Sequence, residues 1–170
     1  GGKVPFWGYS ESVLIDGDKL ICTPGGPNGT LVALKKTTGE KIWQSKDFTD
    51  PADYSSVIVA EHDGVRQYIQ LTQKTLVGIA ADDGRVLWTY PWLGRTAVVP
   101  TPIFRNGKVY VACGYGVGCG LVKLNGGEAE EVYENKGKIL VFSQYVETLI
   151  EIEKKLKFQN VNIFHGGLNQ

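Results

Sequence analysis

Ala33-Leu34-Lys35-Lys36-Thr37-Thr38-Gly39-Glu40-Lys41-Ile42-Trp43 is the stretch that decides the fold. Short apolar-polar alternations stand on either side of a Thr-Gly turn, and the second ends on an indole. A step of 45 residues puts Leu31, Val32, Leu34, Ile42 and Trp43 on Leu76, Val77, Ile79, Leu87 and Trp88. A second step reaches Leu121, Val122, Leu124, Val132 and Tyr133 without a gap. The second copy runs from Gly78 through Asp83-Gly84 to Trp88. The third is degraded: Gly126-Gly127 displaces the turn, and Tyr133 stands where the indole would be.

Upstream of each copy lies a further alternating pair: Val13 to Ile15 with Lys19 to Thr23, Val57 to Val59 with Arg66 to Thr72, and Ile103 to Phe104 with Lys108 to Cys113. Asp16-Gly17, Asp63-Gly64 and Asn106-Gly107 join them. Such dipeptides reach the positive φ that tight hairpins need. Each repeat therefore reads as four short strands. Units of this length with a period of two build propeller blades, whereas helical repeats would show apolar spacings of three and four.

The segment from Ala33 to Trp43 resembles the docking motif of pyrroloquinoline-quinone-type, WD-like β-propeller repeats, and the resemblance covers residues 4–136. It assigns the motif positions to Ala33, Thr38, Gly39 and Trp43, to Gly78, Gly84 and Trp88, and to Tyr133. The indole is a broad apolar plate that can wedge between neighbouring blades while its N–H finds a carbonyl. Proteins of this repeat class are mostly secreted or periplasmic, and many are binding scaffolds, not quinone enzymes.

After residue 136 the period breaks. Lys138-Ile139-Leu140-Val141-Phe142-Ser143 reads as a buried strand, Ser143 can cap a helix from about Gln144 to Phe158, and Val161 to Phe164 reads as a second strand. Ile139 to Tyr145 and Phe164-His165-Gly166-Gly167-Leu168 resemble the opening of the second RecA-like lobe of superfamily 2 helicases and Swi/Snf-type remodelling ATPases. The resemblance places its motif on Phe142, Ser143, Gln144, His165 and Gly166. The fold expected is thus mainly β, with three four-stranded propeller-type blades over residues 1–136 and a short βαβ appendage over 137–170. The abrupt joint, without a Pro- or Ser-rich linker, suggests a truncated or chimeric chain.

Catalysis is not expected. Phosphoryl transfer needs a G-x-x-x-x-G-K-[ST] cradle, and Gly107-Lys108 and Gly137-Lys138 lack its first glycine, with Pro102 and Val132 in that place. The quinone dehydrogenases of the repeat class use adjacent cysteines, calcium and an Asp base. The cysteines here, Cys22, Cys113 and Cys119, are not adjacent, and Asp82-Asp83 reads as turn chemistry. No catalytic, cofactor-binding or metal-binding residue is therefore assigned, and no cofactor is expected.

Eighteen basic residues against eighteen acidic in a 170-residue chain leave a formal net charge of zero, which gives no field for a nucleic-acid backbone. No run of apolar residues is long enough to span a membrane, and no signal peptide is evident in this chain. The expected partner is another protein, or a second copy meeting open blade edges. The compartment stays open. Cys113 and Cys119 flank a glycine-rich hairpin and could form a disulfide; the alternative is two small buried thiols. Trp7, Tyr9, Tyr90, Trp92 and Tyr115 could line a ligand face, although aromatics in blades mostly fill the core.

Overall fold

Each repeat folds into a four-stranded antiparallel meander, because tight turns return the chain every few residues and alternating apolar residues give each sheet an apolar face to pack on its neighbour. The computed structural model describes residues 2–132, which fall within the compact unit Gly1–Tyr133. Blade 1 contains β1 (Leu14–Asp16), β2 (Lys19–Cys22), β3 (Val32–Lys35) and β4 (Lys41–Gln44). Blade 2 contains β5 (Ile58–His62), β6 (Val65–Leu71), β7 (Thr75–Ala80) and β8 (Val86–Pro91). Blade 3 contains β9 (Ile103–Arg105), β10 (Lys108–Cys113), β11 (Gly118–Asn125) and β12 (Glu128–Glu131). Spatial order follows chain order in all three sheets. The βαβ appendage expected over 137–170 lies outside the described residues.

Asp63-Gly64 and Asn106-Gly107 turn with φ of 50° and 74°, and 50° and 70°, the left-handed pair that matches strand twist. Blade 1 differs by one residue. Asp16 pairs with Lys19 as the last residue of β1, so its turn is Gly17-Asp18, with Gly17 at φ 59°. This shift frees the Asp16 carboxylate for a contact described below.

Blades 1 and 2 share a β-bulge. Ala33 pairs with Trp43 but Leu34 pairs with Lys41, leaving Ile42 extra; likewise Gly78 pairs with Trp88 and Ile79 with Val86, leaving Leu87 extra. A bulge re-aims the side chains beyond it, here placing each indole over the small residue opposite. Blade 3 has no bulge. Its two-residue turn at Gly126-Gly127 starts β12 early, and Lys123 pairs with Glu130 where the other blades pair Ala or Gly with Trp. The match of Tyr133 to the indole positions is corrected accordingly: the residue in that register is Glu130, and Tyr133 lies outside the described residues.

Two cores result. Ile21, Leu31, Ala33 and Trp43 of blade 1 pack against Tyr68, Val77 and Ile79 of blade 2. Ile69, Leu71, Leu76 and Trp88 of blade 2 pack against Val109, Val111, Val122 and Leu124 of blade 3. Alternation along β7 supplies both, with Leu76 turned to one neighbour and Val77 to the other. Blade 2 is thus buried on both faces.

Candidate functional site

Two of the repeat-motif residues, Trp43 and Gly84, meet at the joint between blades 1 and 2. Trp43 Nε1 donates to the Ala81 carbonyl at 3.3 Å, and the ring lies so close over Gly84 that an added Cβ would come within 2.5 Å of it. Gly84 also has φ 80°, so both its missing side chain and its backbone freedom are used. Thr38 and Gly39 stay in their own turn, where Thr38 Oγ1 accepts from Glu40 N at 3.3 Å and Gly39 takes φ 74°. Trp88 is placed differently. It packs on Gly78 in its own sheet, and its Nε1 donates to Gln67 Oε1 of the same blade at 2.6 Å.

A polar latch reinforces the same joint. Arg66 of blade 2 donates to both carboxylate oxygens of Asp16 at 2.6 and 3.0 Å, and Tyr68 Oη donates to Oδ2 at 2.7 Å. The Arg66 hydrogen bonds outweigh the cost of burial and hold the Asp16 carboxyl below its ordinary range. Lys19 Nζ adds a hydrogen bond to the Ala81 carbonyl. Arg66 and Asp16 stand 50 residues apart, off the repeat spacing, so no sequence signal linked them.

At one end of the blades the segments that enter them form a continuous loop face. Residues 9, 54 and 99, spaced by 45, are Tyr, Tyr and Val. The segments are tied in series: Tyr54 Oη accepts from Trp7 N at 3.2 Å, Ser56 Oγ accepts from Ser12 N at 2.9 Å, Asp53 Oδ2 accepts from Val98 N at 3.2 Å, and Ser55 Oγ donates to Pro100 O at 3.0 Å. Burial raises the pKa of Asp53, and that of Glu11, whose Oε1 accepts from Thr23 N at 2.6 Å. Burial, with Glu11 nearby, also pushes the Cys22 thiol up to about 11.

On this face Trp7, Ser10, Tyr54, Ala97, Val99 and Tyr115 line an open groove of about 260 Å³. None of the six is charged. Trp7 is 60% exposed and Tyr115 61%, with Phe6 set edge-on to Trp7 at 5.0 Å. The expectation that aromatics fill the core therefore fails for Trp7, Tyr9 and Tyr115, while Tyr90 and Trp92 do pack against the joint between blades 2 and 3. A larger groove, about 820 Å³, runs along the outer rim between blades 1 and 2, past Lys41, Ile42, Trp43, Asp83 and Arg85. Its floor is the Trp43 joint itself, and Arg85 there is bound to Asp83 at 2.8 Å. The 45-residue spacing of Tyr9, Tyr54 and Val99 was the available signal for the entry segments, but it falls outside the strands on which the repeat is read.

A Cys113–Cys119 disulfide is not formed. β10 and β11 pair Ala112 with Cys119 and Cys113 with Gly118, which puts the two thiols on opposite faces of the sheet. Cys113 is buried, its Sγ 3.7 Å from the Ala97 carbonyl, and Cys119 is exposed, so the alternative of two buried thiols holds for one of them. Phe142, Ser143, Gln144, His165 and Gly166 lie outside the described residues.

Three antiparallel four-stranded blades in series, with a groove built on their entry loops, define a propeller-type repeat protein. Residues 7–149 match the family described as outer membrane protein assembly factor BamB, and the chain belongs to that family. The match continues past the joint expected at residue 137. Among solved structures, the crystal structure of BamB from Moraxella catarrhalis is 15% identical with a TM-score of 0.43, over 72% of this chain and 34% of that one. The chain thus spans about a third of the length of that structure. No curated protein matches.

Proposed function

We propose that this chain is a non-catalytic, protein-binding propeller module whose partner docks on the loop face. The observation that carries the proposal is the groove of Trp7, Tyr54, Val99 and Tyr115, where Trp7 and Tyr115 stand largely in water over buried Tyr54 and beside uncharged neighbours. Rigid aromatics supply much of the affinity at protein interfaces, and charged residues are depleted at the centres of such patches. The family description connects relatives with outer membrane protein assembly. By that connection the partner is a component or client of such an assembly.

Self-association through blade edges is the weaker route. β4 carries the bulge and Lys41, β8 carries a bulge and ends on Pro91, β12 carries Glu128, Glu130 and Glu131, and β1 and β9 have only three residues each. These features oppose strand addition at those five edges; β5, the sixth, is a regular strand of five residues. The non-catalytic reading rests on the sequence, which has neither adjacent cysteines nor a phosphate cradle. A helicase-like role for residues 138–170 has no observation in its favour.

The test compares wild type with Trp7→Ala/Tyr115→Ala for recovery of partners from bacterial envelope extract, with circular dichroism to confirm folding. The proposal expects loss of recovery from a folded variant. Equal recovery removes the loop face from the account. Dye reduction after addition of pyrroloquinoline quinone and calcium would overturn the non-catalytic reading.

A further inference from the structure

Asn-Gly occurs three times in the chain, at residues 28–29, 106–107 and 125–126. Glycine has no side chain to shield its own N–H, so in this dipeptide the backbone nitrogen is best able to attack the side-chain amide before it. The fold treats the three unequally. Gly29 is locked: its N–H donates to the Gly26 carbonyl at 3.0 Å, its carbonyl accepts from Gln44 Nε2 at 2.9 Å, and an added Cβ would collide with the Ser45 carbonyl. Gly107 is covered: its carbonyl accepts from Leu124 N at 2.8 Å, and an added Cβ would stand 2.9 Å from the His62 ring. Gly126 is bare. Asn125 and Gly126 are both exposed, nothing lies within 4 Å of the place a Cβ would take on Gly126, and among the described residues its N–H donates no hydrogen bond.

We propose that Asn125-Gly126 is a self-modification site, at which the chain deamidates and so loosens the hairpin that seats β12. Gly126 N attacks Asn125 Cγ and gives up its proton to solvent base, and the Asn125 amide nitrogen takes up a proton from water and leaves as ammonia. Water then opens the succinimide ring at one carbonyl or the other, leaving aspartate, or isoaspartate with the backbone routed through the β-carbon. The product matters because of what faces it. Asn125 Nδ2 donates to Glu130 Oε2 at 3.1 Å, and Asn125 pairs with Glu128 across the hairpin. Either acid exchanges that donor for a negative charge opposite one glutamate and beside another, which destabilises a strand pair. The same hairpin seats on blade 2: β12 packs against β8, and a Cβ added at Gly127 would lie 3.8 Å from the Leu87 carbonyl. Modification therefore acts on the joint between blades 2 and 3. This inference does not depend on the loop-face reading.

The experiment holds the full native chain at mildly alkaline pH and follows the three Asn-Gly peptides by mass spectrometry, with chromatography to separate aspartate from isoaspartate. The mass gain of amide-to-acid conversion should appear several-fold sooner at Asn125 than at Asn106, with Asn28 last. In denaturant, where the fold no longer discriminates, the three rates should converge. An Asn125 that stays intact in the folded chain, or an Asn28 or Asn106 that keeps pace with it, overturns the assignment. The consequence is read by hydrogen exchange on Asn125→Asp: its β12 amides should exchange several-fold faster than those of wild type, and Glu128→Gln/Glu130→Gln added to it should restore their protection. Unchanged β12 exchange in Asn125→Asp, or a loss that the two Gln substitutions leave in place, overturns the loosening of the hairpin.

Discussion

The joint between blades 1 and 2 and the joint between blades 2 and 3 bury similar sets of aliphatic side chains, yet they are fastened differently. At the first, the indole of Trp43 crosses to the neighbouring blade, and Asp16, Arg66, Tyr68 and Lys19 add directed hydrogen bonds. At the second, the Trp88 N–H is spent inside its own blade on Gln67, the His62 ring nitrogen of blade 2 lies 3.3 Å from the Leu124 carbonyl of blade 3, and further polar ties run through the entry loops, from Val98 to Asp53 and from Ser55 to Pro100. Apolar burial supplies adhesion at both, but only the first adds an indole and a paired carboxylate and guanidinium that reach across from one blade to the next. The cause is a turn. Asp82-Asp83-Gly84 brings a bare glycine and the Ala81 carbonyl under Trp43, whereas the tight Gly126-Gly127 turn brings nothing equivalent under Trp88.

Removing either ring separates burial from fastening. Trp43→Ala and Trp88→Ala each delete a nearly buried indole and are expected to cost roughly 3–5 kcal/mol in chemical denaturation. Phenylalanine sharpens the contrast. Trp88→Phe strands the buried Gln67 Oε1, a further cost of about 1–3 kcal/mol. Trp43→Phe leaves the Ala81 carbonyl with its Lys19 donor and should cost less. Equal losses for the two Phe variants would break the distinction drawn here.

Acid should separate the joints in opposite senses. Asp16 has a lowered folded pKa, so its contribution is present above the ordinary carboxylate value of about 3.9 and is lost as pH falls through the folded value. Asp53 has a raised folded pKa, so its contribution is present below that value and is lost as pH rises through the folded one. Denaturation midpoints across this range should show Asp16→Asn losing the acid-side decline and Asp53→Asn losing the opposing slope. The same profile from both variants would contradict the assignment. The smallest effect is a chemical one: a thiol reagent should label Cys119 in the native protein and reach Cys113 only after unfolding, and simultaneous labelling of both would displace Cys113 from the second joint.

Strand number and meander order were legible because each depends on local alternation and on turns a few residues long. The register of β12 was not. A fixed step of 45 carries the eye to Tyr133, but the turn at Gly126-Gly127 is shorter than its counterparts, and backbone pairing follows the turn that is present. The disulfide failed for a related reason, since a one-residue difference in register reverses the face on which a thiol stands. The Asp16 latch and the loop-face groove depend on residues brought together from different repeats, and spacing within one repeat carries no information about them.

The central claim, that Trp43 fastens blade 1 to blade 2 through the space left by Gly84, is tested most directly by a double-mutant cycle on Trp43→Ala and Gly84→Ala. With the indole present, Gly84→Ala must displace the ring as well as strain a backbone at φ 80°. Once the indole is gone, only the backbone cost of about 1–2 kcal/mol should remain. A coupling of about 1 kcal/mol or more, with Gly84→Ala milder in the Trp43→Ala background, is the predicted result. Additive costs would mean that ring and glycine do not meet, and the joint would need another explanation.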